Sequence, residues 1–343
     1  MIEWFADFAR VTFGGINNVF DVSSVFCEFN IGGQLYSIKW YGVIIAFGLV
    51  LAALFGGRIA YTWKMDLSKM VDVLIYGMFG GIICARAYYV IFEWDYYSVH
   101  PAEIFQIWRG GLAIYGGIIG GLIAAFITCK LEKLNFYNLL DCAGMSLLIG
   151  QGIGRWGNYA NQEAFGVFTN GNYGMMSDKV ISYIEAHPEL YGLEGVSDIP
   201  GYIEENNLFV HPTFFYEFAW CMLGVLVLYI ITRKFRKFSG QTFLCYGIWY
   251  GLERAVVEGL RTDSLYIGNT GLRVSQVLSV LIVVVCLVVL VVKLIKIRKN
   301  PVLIEGVDYF PADEKQVKKT KKKTLVKEEK ESKDFAKEDK KDE

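Results

Sequence analysis

Long apolar runs separated by short charged stretches dominate the chain as far as residue 299, and beyond Pro301 the pattern gives way to lysine and glutamate. A helix needs about 20 apolar residues to cross a hydrocarbon core of roughly 30 Å. About seven runs approach that length: Ile38–Ile59, Val71–Phe92, Leu112–Thr128, Leu139–Ile153, Thr213–Ile231, Thr242–Leu260 and Val274–Val292. The fourth is short, which fits a tilted helix or one partly buried in protein. The seventh, rich in Val, Leu and Ile, is the clearest span. This pattern predicts an all-α polytopic membrane protein. About seven transmembrane helices would carry a small external subdomain and a disordered cytoplasmic tail.

Lysine and arginine placement sets the expected orientation. Basic residues follow the first, third, fifth and seventh runs: Arg58, Lys64 and Lys69; Lys130 and Lys133; Arg233, Lys234, Arg236 and Lys237; Lys293, Lys296, Arg298 and Lys299. These ends share one side if every run spans. The opposite side carries Glu93, Asp95, Glu103 and a long acidic stretch, roughly 159–210, with a lone Lys179. The expectation is an N-terminus outside and a C-terminus in the cytoplasm. Three regions follow: an external segment 1–37, a membrane domain 38–299 with an external loop 167–210, and a charged tail 300–343. The tail is low in aromatics and expected to be disordered. Its basic block Lys318–Lys323 is read first as a solvated stretch and second as a contact for anionic headgroups.

Composition adds mainly exclusions. The net charge of −1 averages two unlike regions and identifies no partner. The seven cysteines lie mostly within apolar runs, with no CxxC or Cys/His spacing for zinc, and there are only three histidines. No metal, no cofactor and no nucleic-acid partner are expected. Asp7 and Arg10 interrupt the N-terminus before any apolar stretch, so no cleavable signal peptide is read there.

Charge within an apolar helix is the informative event, because an Arg, Lys or Asp at mid-bilayer costs roughly 2.5–3.5 kcal/mol on insertion scales. The sixth run holds Glu253, Arg254 and Glu258, with Arg261 at its outer end. At about 100° per residue, Tyr250, Arg254, Glu258 and Arg261 share one face. The bland reading is an Arg–Glu pair joining helices. The functional reading is the wall of a polar cavity. Arg254 and Arg261 exceed what Glu258 neutralises, since Glu253 points elsewhere, and surplus positive charge suits a phosphate. A second string, Gly150 to Gly166, follows the fourth run and mixes glycines with Arg155, Asn158, Asn161 and Glu163. Arg155 can fork onto phosphate oxygens, and the asparagines can donate to ester oxygens; a helix cap would explain part of the string. A third, Arg109 to Gly121, is glycine-rich in the way that lets membrane helices approach closely, but that leaves Tyr115 unexplained. Lys39-Trp40-Tyr41-Gly42 opens the first run, and His211 to Glu217 opens the fifth, where Glu217 is again expensive and expected to be paired.

Together these strings resemble the prolipoprotein diacylglyceryl transferase family. The resemblance rests on GRWGNYANQEAFG at 154–166, WYG at 40–42, GGLAIYGG at 110–117, HPTFFYE at 211–217 and YGLERAVVEGLR at 250–261, and spans about 38–295. It implies a seven-helix body in the bacterial plasma membrane, an external head, and a central cavity open sideways to lipid. It also implies transfer of a diacylglyceryl group from phosphatidylglycerol to the lipobox cysteine of a prolipoprotein, with glycerol phosphate released. Its important positions fall on Tyr41, Arg155, Asn158, Glu163, Gly166, Tyr250, Arg254, Glu258 and Arg261. Many members carry histidine where this chain has Tyr115, so an imidazole mechanism at that position cannot apply here. Arg155, Arg254 and Glu258 are expected to act catalytically, with Tyr115, Tyr41 or Glu163 handling the thiol proton. Arg155, Asn158, Gly166, Tyr250, Arg254 and Arg261 are expected to hold the lipid. The alternative is a transporter or flippase for an anionic lipid or solute, which would use buried arginines and interrupted helices equally well.

Overall fold

The computed structural model describes residues 8–14, 16–169, 174–262, 266 and 270–299. The tail expected at 300–343 lies outside them. The chain is mostly helical, with ten α-helices and seven short strands among the described residues. In order these are β1 (Phe8–Phe13), β2 (Ile16–Ser23), β3 (Val25–Ile31), β4 (Gln34–Lys39), α1 (Trp40–Thr62), α2 (Leu67–Phe92), α3 (Trp94–Tyr97), α4 (Ile114–Leu131), α5 (Phe136–Asn161), β5 (Phe168–Thr169), β6 (Met175–Ser177), α6 (Asp178–Ala186), α7 (Ile199–Glu205), β7 (Phe209–Val210), α8 (Thr213–Lys234), α9 (Gln241–Leu260) and α10 (Val274–Lys299). Five of these helices are long and apolar enough to cross a membrane: α1, α2, α4, α8 and α10. The predicted fourth and sixth runs are helices as well, α5 of 26 residues and α9 of 20. Neither belongs to that set of five.

Two compact units make up the structure, each composed of several stretches of the chain. The first contains residues 1–55, 143–236 and 241–299; the second contains 56–142 and 237–240.

In the first unit the N-terminal residues are strands rather than a plain segment, so the all-α expectation gives way to a helical protein with a small sheet. The sheet order is β2-β1-β6-β7-β5. Strand β1 is central to the pairing: Val11 opposes Phe20 on one side and Ser177 on the other. Val11 is fully buried, as expected for an inward position on a half-covered sheet. Helices α6 and α7 close the core with Val180, Ile184, Ile199 and Ile203, packed with Met175, Val210 and Phe214. Ser177 caps α6 by accepting from the Val180 N–H at 3.2 Å, and Asp198 caps α7 from the Gly201 N–H at 3.0 Å. Residues 167–169 and 174–210 therefore belong to a folded head that incorporates β1 and β2. Strands β3 and β4 form a separate hairpin, which turns through Gly32 and Gly33 at positive φ and runs directly into α1.

Below the head, α8 and α9 are joined by a reciprocal pair: Trp220 Nε1 donates to the Trp249 carbonyl and Trp249 Nε1 to the Trp220 carbonyl, both at 3.1 Å. The indole rings stack at 4.6 Å. Small residues bring the neighbouring helices close. Gly152 of α5 lies against Cys221 and Met222 of α8, and Gly251 of α9 against Val283 of α10.

In the second unit α2 and α4 pack along the glycine stripe that the sequence shows. A Cβ on Gly120 would fall 2.3 Å from the Cys84 Cβ and 2.5 Å from the Gly80 carbonyl oxygen, so that position admits only glycine without a shift. Buried Arg86 pins the segment that leads into α4. Its guanidinium donates to the carbonyls of Glu103, Ile104, Gly110 and Gly111 at 2.6–3.0 Å and sits 5.0 Å over the Tyr97 ring. Gly110 and Gly111 both have positive φ, which this turn requires.

Candidate active site

Helix α5 does not end at Ile153, where its apolar run stops, but continues to Asn161. The glycine-rich string is therefore mostly helix, and its end is a C-cap: Gln162, in the left-handed region, donates its N–H to the Tyr159 carbonyl at 3.1 Å, and the Glu163 N–H donates to the Asn158 carbonyl at 3.0 Å. Gln151, Arg155 and Asn158 consequently stand at helical spacing along one side of α5. Glu217 and Cys221 are one turn apart on α8. Tyr246, Tyr250, Arg254 and Glu258 form an i, i+4 column on α9. Side chains from these three helices meet in the first unit.

Their meeting point is an ion-pair network. Arg155 Nη2 lies 2.7 Å from Glu217 Oε2, and Arg254 Nη1 lies 3.7 Å from the same oxygen. Arg254 Nη2 lies 2.6 Å from Glu258 Oε2, one turn along α9. The Glu217 side chain is 1% exposed, while the two arginines remain 18% and 19% exposed. Glu217 thus joins Glu258 in pairing with Arg155 and Arg254. The two carboxylates lie in ion-pair contact with the guanidinium groups at 2.6–2.7 Å. They leave Arg254 Nη1 buried with no hydrogen-bond acceptor, since 3.7 Å is too long for one. A buried, unsatisfied donor of that kind costs about 1–3 kcal/mol, and an incoming oxyanion would satisfy it.

The remaining positions surround this network. Past α5 the chain turns through Gln162 and Ala164, both in the left-handed region. Glu163 there accepts from Asn158 Nδ2 at 3.1 Å and Asn161 Nδ2 at 3.2 Å, which fixes both amides. Gly166 sits where three segments converge: its N–H donates to the His211 carbonyl, and it bridges to Arg261 beyond α9. A Cβ on Gly166 would lie 2.9 Å from the His211 Cβ and 3.0 Å from the Leu260 carbonyl oxygen. Burial lowers the His211 imidazole below its ordinary pKa, which favours its neutral form. Tyr41, at the start of α1, lays its ring against Gly157 of α5. Tyr250 stacks on Tyr246, whose phenol accepts from Gln151 Nε2 at 2.9 Å.

Tyr41, Arg155, Asn158, Glu163, Gly166, Tyr250, Arg254, Glu258 and Arg261 therefore all belong to the first unit. Tyr115 belongs to the second, in the first turn of α4, and is 39% exposed. The site residue underweighted by the sequence reading is Glu217. Its position at the apolar start of α8 was the available signal; its partner, 62 residues earlier in the chain, was not legible. Glu253 lies off the Tyr250–Arg254–Glu258 column and is buried, 4% exposed, with Cys221 Sγ 3.9 Å from its Oε2.

Residues 28–292 match the sequence model of a family described as prolipoprotein diacylglyceryl transferase. The chain belongs to that family. A phosphatidylglycerol–prolipoprotein diacylglyceryl transferase of Listeria welshimeri is 45% identical over 244 residues, 71% of this chain and 81% of the relative. The protein of the same name from Lysinibacillus sphaericus is 39% identical over 245 residues, 71% and 83% of the two chains. That of Staphylococcus aureus strain Newman is 38% identical over 294 residues, 84% and 96%. The family match takes in the ion-pair network, the Asn158–Glu163 turn, Gly166, Tyr41 and Tyr115. Strands β1 and β2 and the tail fall outside it.

Proposed function

We propose that this protein moves the diacylglyceryl group of phosphatidylglycerol onto the lipobox cysteine of a prolipoprotein, forming a thioether and releasing glycerol phosphate. The carrying observation is the Arg155–Glu217–Arg254–Glu258 network within helices that are otherwise apolar, in a chain whose relatives bear the name of that transferase. A transporter would use buried arginines too, but no observation favours it.

The thiolate is the reactive form of cysteine. Its sulfur attacks the glyceryl carbon that bears the phosphate ester. The C–O bond breaks, its electron pair stays on the phosphate oxygen, and the thiol proton goes to a base. Arg155 and Arg254 hold the phosphate, with Arg254 Nη1 supplying an unsatisfied donor for the charge that develops. Glu217 and Glu258 keep the two forks oriented, so little reorganisation accompanies the reaction. Asn158, held by Glu163, meets headgroup oxygens, and Tyr250, Gly166 and Arg261 shape the lipid site. Tyr115, Tyr41 and Glu163 are the candidates for taking the thiol proton.

The setting in this reading is the bacterial plasma membrane, with α5 and α9 completing seven spans. The N-terminus and head face outside, where the precursor presents its cysteine, and the 300–343 tail is cytoplasmic. The test is purified protein with phosphatidylglycerol and a lipobox peptide. A cysteine-dependent gain of diacylglyceryl mass with equal glycerol phosphate release supports the reading. Neither product from folded, lipid-binding protein overturns it.

A further inference from the structure

Three carboxyl groups converge on two guanidinium groups in α5, α8 and α9, and only two of the carboxyls have a cation in contact. Glu217 and Glu258 match Arg155 and Arg254. Glu253 is the third. It is 4% exposed and makes no ion pair among the described residues. Its Oε1 has no hydrogen-bond partner, and its Oε2 has only the Cys221 thiol at 3.9 Å. The groups that face it are Glu217 and Cys221 from α8, Arg155 from α5, and Arg254 from its own helix. Tyr246 and Tyr250 lie on that helix too, and α10 contributes Cys286, against Gly247. None of them is a cation left over for Glu253.

An anion entering this network meets guanidinium charge that is already matched. Each phosphate bound adds a negative charge to a buried site, which is costly unless positive charge arrives with it. We propose that phosphate binding at Arg155 and Arg254 is coupled to the uptake of one proton by Glu253. This inference rests on reading the network as the phosphate site.

The probe is glycerophosphoglycerol, the deacylated headgroup, whose single phosphodiester charge does not titrate over the working range. Its binding to the full chain in detergent is measured calorimetrically over a pH series, in buffers of different ionisation enthalpy that count protons taken up. The wild type should take up as much as one proton per headgroup, and its Kd should weaken toward about tenfold per pH unit on the alkaline side. Glu253→Gln should lose that proton and that slope, and bind more tightly than wild type at high pH. Glu253→Met gives the same reading if the amide variant does not fold. A variant that retains the wild-type proton count and slope overturns the inference. Absence of binding by folded wild type at every pH overturns the phosphate-site reading itself.

Discussion

Replacing Arg254 by lysine keeps the positive charge and removes the fork, so it isolates what geometry contributes. In the structure the two Arg254 nitrogens do different things. Nη2 holds Glu258 at 2.6 Å, and Nη1 stays 3.7 Å from Glu217, buried and without an acceptor. A lysine has one nitrogen on a flexible stem. It can pair with Glu258 or turn to the phosphate, but it cannot hold both positions. The expected loss is that of one preorganised donor to developing charge, about 10²–10³-fold in kcat or ~2.7–4 kcal/mol. The melting temperature should change little, because Glu258 keeps a cationic partner. The assay is peptide mass and glycerol phosphate release under saturating lipid, with the thermal midpoint measured on the same preparation. Near-normal kcat in folded Arg254→Lys would refute the two-nitrogen argument and reduce Arg254 to a general positive charge.

Other perturbations separate packing from chemistry. Glu217→Gln removes the carboxylate shared by both arginines and should cost about 3–5 kcal/mol of stability, as breaking a buried pair does, together with most activity; a thermal midpoint equal to wild type would contradict the shared-carboxylate geometry. Gly166→Ala must displace the His211 side chain or the Leu260 carbonyl, at about 1–3 kcal/mol, and should lower both lipid binding and transfer; normal binding would show that the three-segment junction tolerates a methyl group. Gly120→Ala should lower the melting temperature by prising α2 from α4, again by about 1–3 kcal/mol, which scanning calorimetry in detergent reads directly. Tyr115→Phe should reduce kcat strongly if the phenol handles the thiol proton; unchanged kcat removes Tyr115 from that role.

Residues with local meaning were legible in the sequence. The apolar runs locate α1, α2, α8 and α10 because length and composition alone define such helices. The α9 stripe is equally local, and the observed Arg254–Glu258 pair follows from i, i+4 spacing. What needed distant partners was hidden. The last two turns of α5 look like a loop by glycine and asparagine content; packing against Tyr41, Cys221 and Met222 overrides that weak preference. Strand β1 pairs with β6 some 165 residues away, so nothing near Val11 announces that the N-terminus completes the head. Charge balance shows the same limit. Counting within α9 gave no sign that α8 brings Glu217 against Arg155 and Arg254.

The central claim, that buried arginines held by carboxylates drive diacylglyceryl transfer, is tested most directly by one reaction. Purified protein, phosphatidylglycerol and a lipobox peptide are incubated, with a second peptide lacking the cysteine as control. The account predicts a diacylglyceryl mass gain on the cysteine peptide alone, one glycerol phosphate per modified peptide, and loss of both in Arg254→Lys. Peptide left unmodified by folded, lipid-binding protein would contradict it.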